Sequence, residues 1–427
     1  MRTIATYTLG CKVNQYDTEA MREAFERAGY LSVPFDQEAD VYLINTCTVT
    51  GTGDQKSLKT IRRAAREHPD CAIVVCGCLA QREAERILEM DNVRLVLGVQ
   101  RRGEAVALLQ QALASGERIN AVAPLRGAGF ENLFVTRHEG KTRAVMKIQE
   151  GCDRYCAYCI IPSVRGPVRS MALEDVRAEA ERLAQAGYRE IVLTGIHLAS
   201  YGRGTAHTLL DAVRAVHDID GVARVRLGSL EPVTATDDFA RQLAEMPGVA
   251  RQFHLSMQSG SAGVLKRMRR RYTPEEYLAA AENLRRHMPD CAITTDVIAG
   301  FPGETEEEFQ QTLDFIRKAR LARIHAFPYS RRKGTVADAL PDQVPENTRR
   351  ERTKKLIALG NQLEREYVLS MLNTVQPVLF EQRVGDGLAE GYTGQYIRVR
   401  AKAEPGTLLN VRLTAAEGAL ALGEPVS

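Results

Sequence analysis

The 427-residue sequence is 44% hydrophobic and 26% charged, with a formal net charge of +3. This composition excludes a disordered or fibrous chain, suits two or three domains with real apolar cores, and leaves any nucleic-acid reading to local clusters rather than bulk charge. No apolar run is long enough to span a bilayer, and 9 cysteines, an odd count with no secretory leader before them, argue against a disulfide framework and for a reducing cytoplasm.

In chain order, residues 1 to about 120 alternate short β-rich runs at 3–9, 41–45, 72–75 and 93–97 with helical periodicity at 17–28, 54–67 and 81–90. That is the pattern of an α/β domain with a mostly parallel sheet. Cys11, Cys47 and Cys78 fall just past the first three runs. Ligands of open α/β sheets gather outside the carboxyl ends of strands, so three thiolates distant in sequence are expected to converge there and hold a cluster with one iron left open. Cys71, Cys76 and Cys291 read as buried small hydrophobes. Cys76 lies two positions from Cys78, and the sequence leaves open which of the two joins the triad.

A linker around 124–131 precedes residues 138–365, where six strand-plus-helix units follow one another. The strands are expected at 144–149, 190–194, 224–228, 252–257, 293–298 and 323–327, with helices at 173–186, 274–287 and 306–318 among the connections. Six βα units suggest a partial barrel with its chemistry at the carboxyl ends of the strands. The loop after the first strand reads Gly151-Cys152-Asp153-Arg154-Tyr155-Cys156-Ala157-Tyr158-Cys159. Three thiolates are one short of the four that normally hold a [4Fe-4S] cluster, so the fourth iron is free to bind something else. A structural zinc site would instead present two CxxC or Cys/His pairs. Residues 354–372 read as a helical connector. Beyond it, short strands at 375–381, 396–399 and 408–413, with turns at Gly385-Asp386-Gly387 and Pro405-Gly406, suggest a small β-barrel of the nucleic-acid-binding kind. Basic runs at 56–66, 266–271, 331–333 and 349–355 beside the expected loops favour a phosphate-rich partner.

Taken together these residues resemble the methylthiotransferase family of radical SAM enzymes, which use S-adenosyl-L-methionine (SAM). The likeness covers nearly the whole chain: Thr8-Leu9-Gly10-Cys11-Lys12-Val13-Asn14, Asn45-Thr46-Cys47-Thr48-Val49-Thr50, Cys76-Gly77-Cys78-Leu79-Ala80-Gln81, and the CxxxCxxC run with Tyr158 before its last cysteine. The resemblance implies an α/β protein in three parts. These are an N-terminal open parallel-sheet domain (1–125) with an auxiliary cluster, a central partial (βα)6 radical SAM barrel (138–365), and a small C-terminal TRAM-like β-barrel (370–427).

By resemblance, one [4Fe-4S] cluster sits on Cys152, Cys156 and Cys159, where SAM chelates the open iron, and a second sits on Cys11, Cys47 and Cys78. The first would reduce SAM to methionine and a 5′-deoxyadenosyl radical. The second would present a sulfur methylated by another SAM, so two SAM molecules per product are expected. SAM contacts are expected from Glu179, from Gly195 and His197 past the second strand, from Ser229 past the third, from Gln258 past the fourth, and from Gly300 and Gly303 in Val297-Ile298-Ala299-Gly300-Phe301-Pro302-Gly303-Glu304. No catalytic residue beyond the cluster ligands is singled out.

Three substrate classes occur in the family: isopentenyladenosine in tRNA, threonylcarbamoyladenosine in tRNA, and an aspartate of a ribosomal protein. Asn45–Thr50, Cys159-Ile160-Ile161-Pro162-Ser163-Val164-Arg165-Gly166 and Phe327-Pro328-Tyr329-Ser330-Arg331-Arg332-Lys333-Gly334-Thr335 look most like the threonylcarbamoyl group. The expected partners are tRNA and an electron donor such as flavodoxin or ferredoxin, with neither a membrane nor DNA. One departure stands out, because residues 370–427 carry five basic and six acidic side chains, whereas a tail gripping RNA phosphates is expected to be basic. Methylthiolation of a basic ribosomal protein, or a non-catalytic iron–sulfur sensor or RNA-binding protein, are the rival readings.

Overall fold

A computed structural model describes residues 2–385 and 387–426. Asp386 of the expected turn, and Met1, lie outside the described residues. The first part of the chain builds one parallel sheet from β1 (Thr3–Thr8), β2 (Leu31–Val33), β3 (Val41–Thr46), β4 (Ala72–Gly77), β5 (Val93–Val96) and β6 (Ile119–Asn120), in the order β2-β1-β3-β4-β5-β6. β3 and β4 are buried along their whole length, which is why they read as continuous apolar runs. The helices are α1 (Lys12–Arg27), α2 (Gly51–Glu67), α3 (Cys78–Arg82), α4 (Ala84–Leu88) and α5 (Ala105–Ser115). The single helix expected at 81–90 is therefore two, broken at Glu83, whose φ of −127° and ψ of 37° leave the helical region.

The six barrel strands begin within a residue of where the sequence placed them, β11 ending three residues short of its expected 257: β7 (Arg143–Glu150), β9 (Glu190–Gly195), β10 (Arg224–Leu227), β11 (Gln252–His254), β12 (Ala292–Ala299) and β13 (Arg323–Pro328). A two-residue β8 (Arg169–Ser170) adds an antiparallel edge to β7. β7, β9 and β10 pair in parallel, as do β11, β12 and β13. The bridges Val225↔Val249 and Leu230↔Leu255 carry the curve from β10 to β11. The connections hold α6 (Ile161–Arg165), α7 (Leu173–Gln185), α8 (Leu209–His217), α9 (Asp237–Ala244), α10 (Ala262–Arg267), α11 (Pro274–His287) and α12 (Glu306–Lys318). α8, α11 and α12 each open on a threonine capping box, a device that satisfies two orphan N–H groups reciprocally.

Alternate strand residues Met146, Ile148, Leu193, Leu227, Phe253 and Ile293 pack on the outer helices. The interleaved Lys147, Glu190, Arg226, His254, Asp296 and His325 therefore face the lumen. α13 (Glu346–Ser370), begun after Pro345 and longer than the expected connector, leads to a closed barrel of β14 (Val375–Gly385), β15 (Leu388–Thr393), β16 (Arg398–Lys402), β17 (Leu408–Glu417) and β18 (Leu420–Pro425). The strand expected from residue 396 starts two residues later, because Tyr396 takes a left-handed φ of 71° in the preceding turn.

This tail barrel closes the amino-terminal end of the lumen. Arg224 Nη2 donates to Pro377 O at 2.7 Å, and Arg226 donates to Gly394 O at 3.0 Å and Thr393 O at 3.1 Å. Glu190 accepts from Arg224 at 2.9 Å and from Arg226 at 2.7 Å. On the other side the first sheet is clasped to the barrel by Arg332, buried against Thr48 Oγ1 and Asp54 Oδ2 at 2.7 Å each. Ser330 Oγ accepts from Gly51 N at 3.1 Å beside it.

Candidate active site

β1, β3 and β4 lie side by side, so their carboxyl ends deliver Cys11, Cys47 and Cys78 to one place. Gly10, at φ +107°, makes room for this: a Cβ there would stand 3.1 Å from Cys47 Sγ. Cys76 is not part of the group. It is fully buried with Ile4, Phe25, Leu43 and Leu97, and that burial pushes its thiol far up. Cys78 sits instead against Val99, Ile160 and Val164, which brings the residue after Cys159 into contact with this triad. Burial drives the Cys78 thiol up to about 11, with Cys11 and Cys47 pushing the same way, despite the pull of Arg165, whose Nε donates to its Sγ at 3.1 Å.

The second triad follows β7. Gly151 holds φ +75°, and a Cβ on it would overlap Pro167 O at 1.9 Å, so only glycine lets the loop turn here. Cys152 N then donates to Gly166 O at 3.0 Å and Cys159 N to Cys156 O at 3.0 Å. Arg270 Nη1 donates to Cys156 Sγ at 3.1 Å. Burial raises the Cys152 thiol and carries Cys159 up to about 12, and the neighbouring cysteines push the same way. With its thiol raised, each of Cys152 and Cys159 favours the neutral form unless cationic iron takes the proton's place. Each triad also has a guanidinium aimed at one sulfur, as a thiolate-bound anionic cluster would need. Among the described residues no group of His, Cys, Asp or Glu is close enough to hold a single metal ion.

Around the barrel mouth, Gln149 fixes the loop by donating to Glu150 O at 2.7 Å and Gly151 O at 2.8 Å. It packs so closely on Gly195 that a Cβ there would be 2.7 Å from its Oε1. His197 N donates to the same oxygen at 2.6 Å, while its ring meets Ser200 Oγ at 2.6 Å and Glu231 Oε2 at 3.3 Å. Glu231 also pairs with Arg154 at 2.8 Å and Arg270 at 3.6 Å. Burial would raise its carboxyl, but His197, Arg270 and Arg154 together hold it below the usual range. Ser229 is exposed just before this glutamate. Gln258, left-handed at φ 68°, donates its N–H to Asp296 O at 2.9 Å and so joins β12. Gly300 is held by Glu304, whose Oε2 accepts from its N–H at 2.7 Å, and a Cβ on it would strike Arg349 Cγ at 2.3 Å. Gly303 N donates to Asp342 O at 2.8 Å. Between these glycines Phe301 turns edge-on to Tyr158 of the cysteine loop.

Glu179 stands apart from this group. It lies buried on α7 between barrel and first sheet, accepting from Tyr16 OH at 3.0 Å and Val135 N at 3.4 Å. Burial pushes its carboxyl up to about 7, outweighing those two bonds. A folded-state pKa raised above the unfolded 4.5 gives stability that is complete below the unfolded value and lost as pH rises through about 7. Glu179→Gln, uncharged and still an acceptor, is expected to melt with the wild type at pH 4.5 and above it at pH 8. Parallel melting curves at both pH values would contradict this.

Arg154, Arg165 and Arg270 were not anticipated as site residues. In sequence Arg270 is one of a basic run, indistinguishable from solvated neighbours, and Arg332 and Arg352 are likewise buried in ion pairs rather than free for phosphate.

A family model described as "Radical SAM superfamily" matches residues 146–316, and one described as "Uncharacterized protein family UPF0004" matches residues 3–98. The chain is 43% identical to threonylcarbamoyladenosine tRNA methylthiotransferase MtaB of Bacillus subtilis (strain 168), over 93% of this chain and 90% of that protein. It is 36% identical to the protein of the same name from Aquifex aeolicus (strain VF5), over 85% of this chain and 89% of that protein. It is also 36% identical to the tRNA-2-methylthio-N(6)-dimethylallyladenosine synthase of Mycobacteroides abscessus, over all of this chain and 86% of that one. Among solved structures, the radical S-adenosylmethionine methyltransferase TsrM from Kitasatospora setae shares the fold, with a TM-score of 0.58, 15% identity, and coverage of 91% of this chain and 77% of that one.

Proposed function

The chain belongs to the radical SAM methylthiotransferase family, and on that footing we propose that it adds a methylthio group to carbon 2 of threonylcarbamoyladenosine next to the anticodon in tRNA. The observation that carries this is the 43% identity along nine-tenths of the chain to an enzyme named for that substrate. The enzyme uses SAM and a [4Fe-4S] cluster, with Cys152, Cys156 and Cys159 as the proposed ligands. A second cluster is proposed on Cys11, Cys47 and Cys78. Bound on Cys152, Cys156 and Cys159, the first would supply an electron to SAM, and held by Cys11, Cys47 and Cys78, the second would supply sulfur for transfer.

The chain's own residues bind and orient. Gln149 sets the cysteine loop against Gly195 and His197. Gly300 and Gly303 bring backbone close to where an adenine would lie, and Ser229 and Gln258 border the same mouth. Glu231, kept anionic by His197, Arg270 and Arg154, suits the ammonium of a methionyl group. The lumen is polar rather than apolar. Lys12, beside Cys11, lies near Arg226 and Arg143, and desolvation followed by these two charges draws its ammonium down to about 8. That cationic setting suits the carboxylate of a threonylcarbamoyl group, which the apolar isopentenyl group lacks. Exposed Lys56, Lys59, Arg62, Lys266, Arg269 and Lys333 offer phosphate contacts that the near-neutral tail does not. A flavodoxin- or ferredoxin-type donor is the proposed source of electrons.

The test is mass spectrometry of tRNA nucleosides from a host lacking its own enzyme, with and without this gene. A methylthio mass gain on threonylcarbamoyladenosine is expected. A gain on isopentenyladenosine alone, or on no nucleoside, would overturn the assignment.

A further inference from the structure

Arg165 ends α6, the short helix that begins two residues past Cys159, yet its guanidinium leaves that loop for the other triad. Nε donates to Cys78 Sγ at 3.1 Å. Nη2 donates to Asn14 Oδ1, and the Asn14 amide in turn donates to Leu9 O at 2.7 Å and Thr46 O at 3.1 Å. Those carbonyls lie two residues before Cys11 and one before Cys47. One side chain thus touches the first triad at one sulfur and, through Asn14, at the backbone that delivers the other two. Its remaining bonds run the opposite way, with Nη1 donating to Glu150 Oε1 at 2.6 Å, two residues before Cys152, and to Asp17 Oδ2 at 3.4 Å.

The surroundings carry surplus positive charge. Lys147 pairs with Asp17 at 2.6 Å and Glu150 at 3.3 Å, and Arg102 pairs with both as well. The side chains of Lys147, Arg102, Arg165, Asp17 and Glu150 are all 2% exposed or less, so three buried cations face two buried carboxylates. Glu131 answers Arg102 from the rim at 2.9 Å. Nearby Arg169 has a buried Nε with no partner. A buried cation without an anion is costly, and the sulfur at the end of this network is Cys78.

We propose that Arg165 is the positioning residue of the auxiliary cluster: it fixes the Cys11/Cys47/Cys78 triad in register with the Cys152–Cys159 loop, and its charge favours the more negative, reduced state of the cluster bound there. This rests on the two-cluster reading of the proposed function. Hydrogen bonds to ligating sulfurs and local net charge are among the levers that set cluster potentials. Arg270, which donates to Cys156, holds the equivalent place at the other triad and serves as the internal control.

The experiment uses the full-length chain with Cys152, Cys156 and Cys159 all changed to alanine, reconstituted with iron and sulfide and followed by a potentiometric titration read by electron paramagnetic resonance. About four irons per chain are expected. Adding Arg165→Gln is expected to lower the midpoint potential, and Arg165→Lys, which keeps the charge and loses the Nε donor, to give a midpoint between the two. Arg165→Gln leaves Asp17, Glu150, Arg102 and Lys147 balanced two against two, so folding is expected to survive; if it does not, the lysine variant alone decides. In the otherwise intact protein, Arg270→Gln should shift only the other cluster. Four irons with an unchanged midpoint in the Arg165 variants overturns this inference. Iron that does not bind at all to the triple-alanine protein overturns the two-cluster reading instead.

Discussion

With Cys152 replaced by alanine, formation of 5′-deoxyadenosine from SAM is expected to fall by more than about a hundredfold, since even partners one step removed from a metal cost roughly 10–100-fold when lost. S-adenosylhomocysteine, the product left when a methyl group departs, should still accumulate. The division follows from where the thiols stand. Cys152 is anchored by its own N–H to Gly166 O in the barrel loop, whereas Cys11, Cys47 and Cys78 hang from three adjacent strands of a different sheet. Removing one barrel thiolate takes nothing from that sheet. Chromatography of both nucleosides from one incubation reads the two outcomes together. If both vanished, methyl loading would depend on the barrel triad, and the assignment of separate duties would be lost.

Truncation of Glu190 should have the largest effect on stability. Its carboxylate is almost wholly buried, at 2.9 Å from Arg224, 2.7 Å from Arg226 and 4.0 Å from Arg143. Burial opposes its ionisation, yet Arg226, Arg224 and Arg143 hold its pKa below the usual 4.5. A depressed carboxyl contributes stability that is present above the unfolded pKa and lost as pH falls through the folded one, so this contribution fades only below about pH 4.5. Breaking a buried pair by removing one partner typically costs about 3–5 kcal/mol, because the other charge is stranded. Arg143 keeps Glu381 at 2.6 Å, but Glu190→Ala strands Arg224 and Arg226 together. The same arginines hold the carbonyls of Pro377, Tyr392, Thr393 and Gly394, so the tail barrel should loosen with them. Calorimetry is expected to show the lowered melting temperature, and limited proteolysis a new cut between α13 and β14. A variant that melts and resists protease as the wild type does would refute this account.

Much of the architecture was legible. Runs such as Ile191-Val192-Leu193 and Ile73-Val74-Val75 announce buried strands, and the spacing of Cys152, Cys156 and Cys159 announces a triad. What escaped was whatever tertiary context imposes. β15 and β18 carry Gly391 and Gly423 and few β-branched residues; they are strands because their neighbours offer a ladder. β2 and β6, of three and two residues, are too short to show a period. α5 is apolar on nearly every side and has no one-sided stripe. The arginines at the sulfurs were invisible for a different reason. A guanidinium in sequence reads as solvated surface, and only the packing of α6 against the first sheet, or of residues 268–272 against the cysteine loop, turns Arg165 and Arg270 inward. The same packing separates Cys76 from Cys78, which alternation along a strand could not do.

The tail barrel seals the lumen from below, with Arg226 laid over the Tyr396 ring and bonded to Thr393 and Gly394. The chamber is a cul-de-sac. A nucleobase stacked in an RNA loop would reach its depth from the carboxyl ends of the strands by swinging out of the stack. With the amino-terminal end closed, nothing leaves by that end, and a molecule lying beneath a bound nucleobase is covered by it.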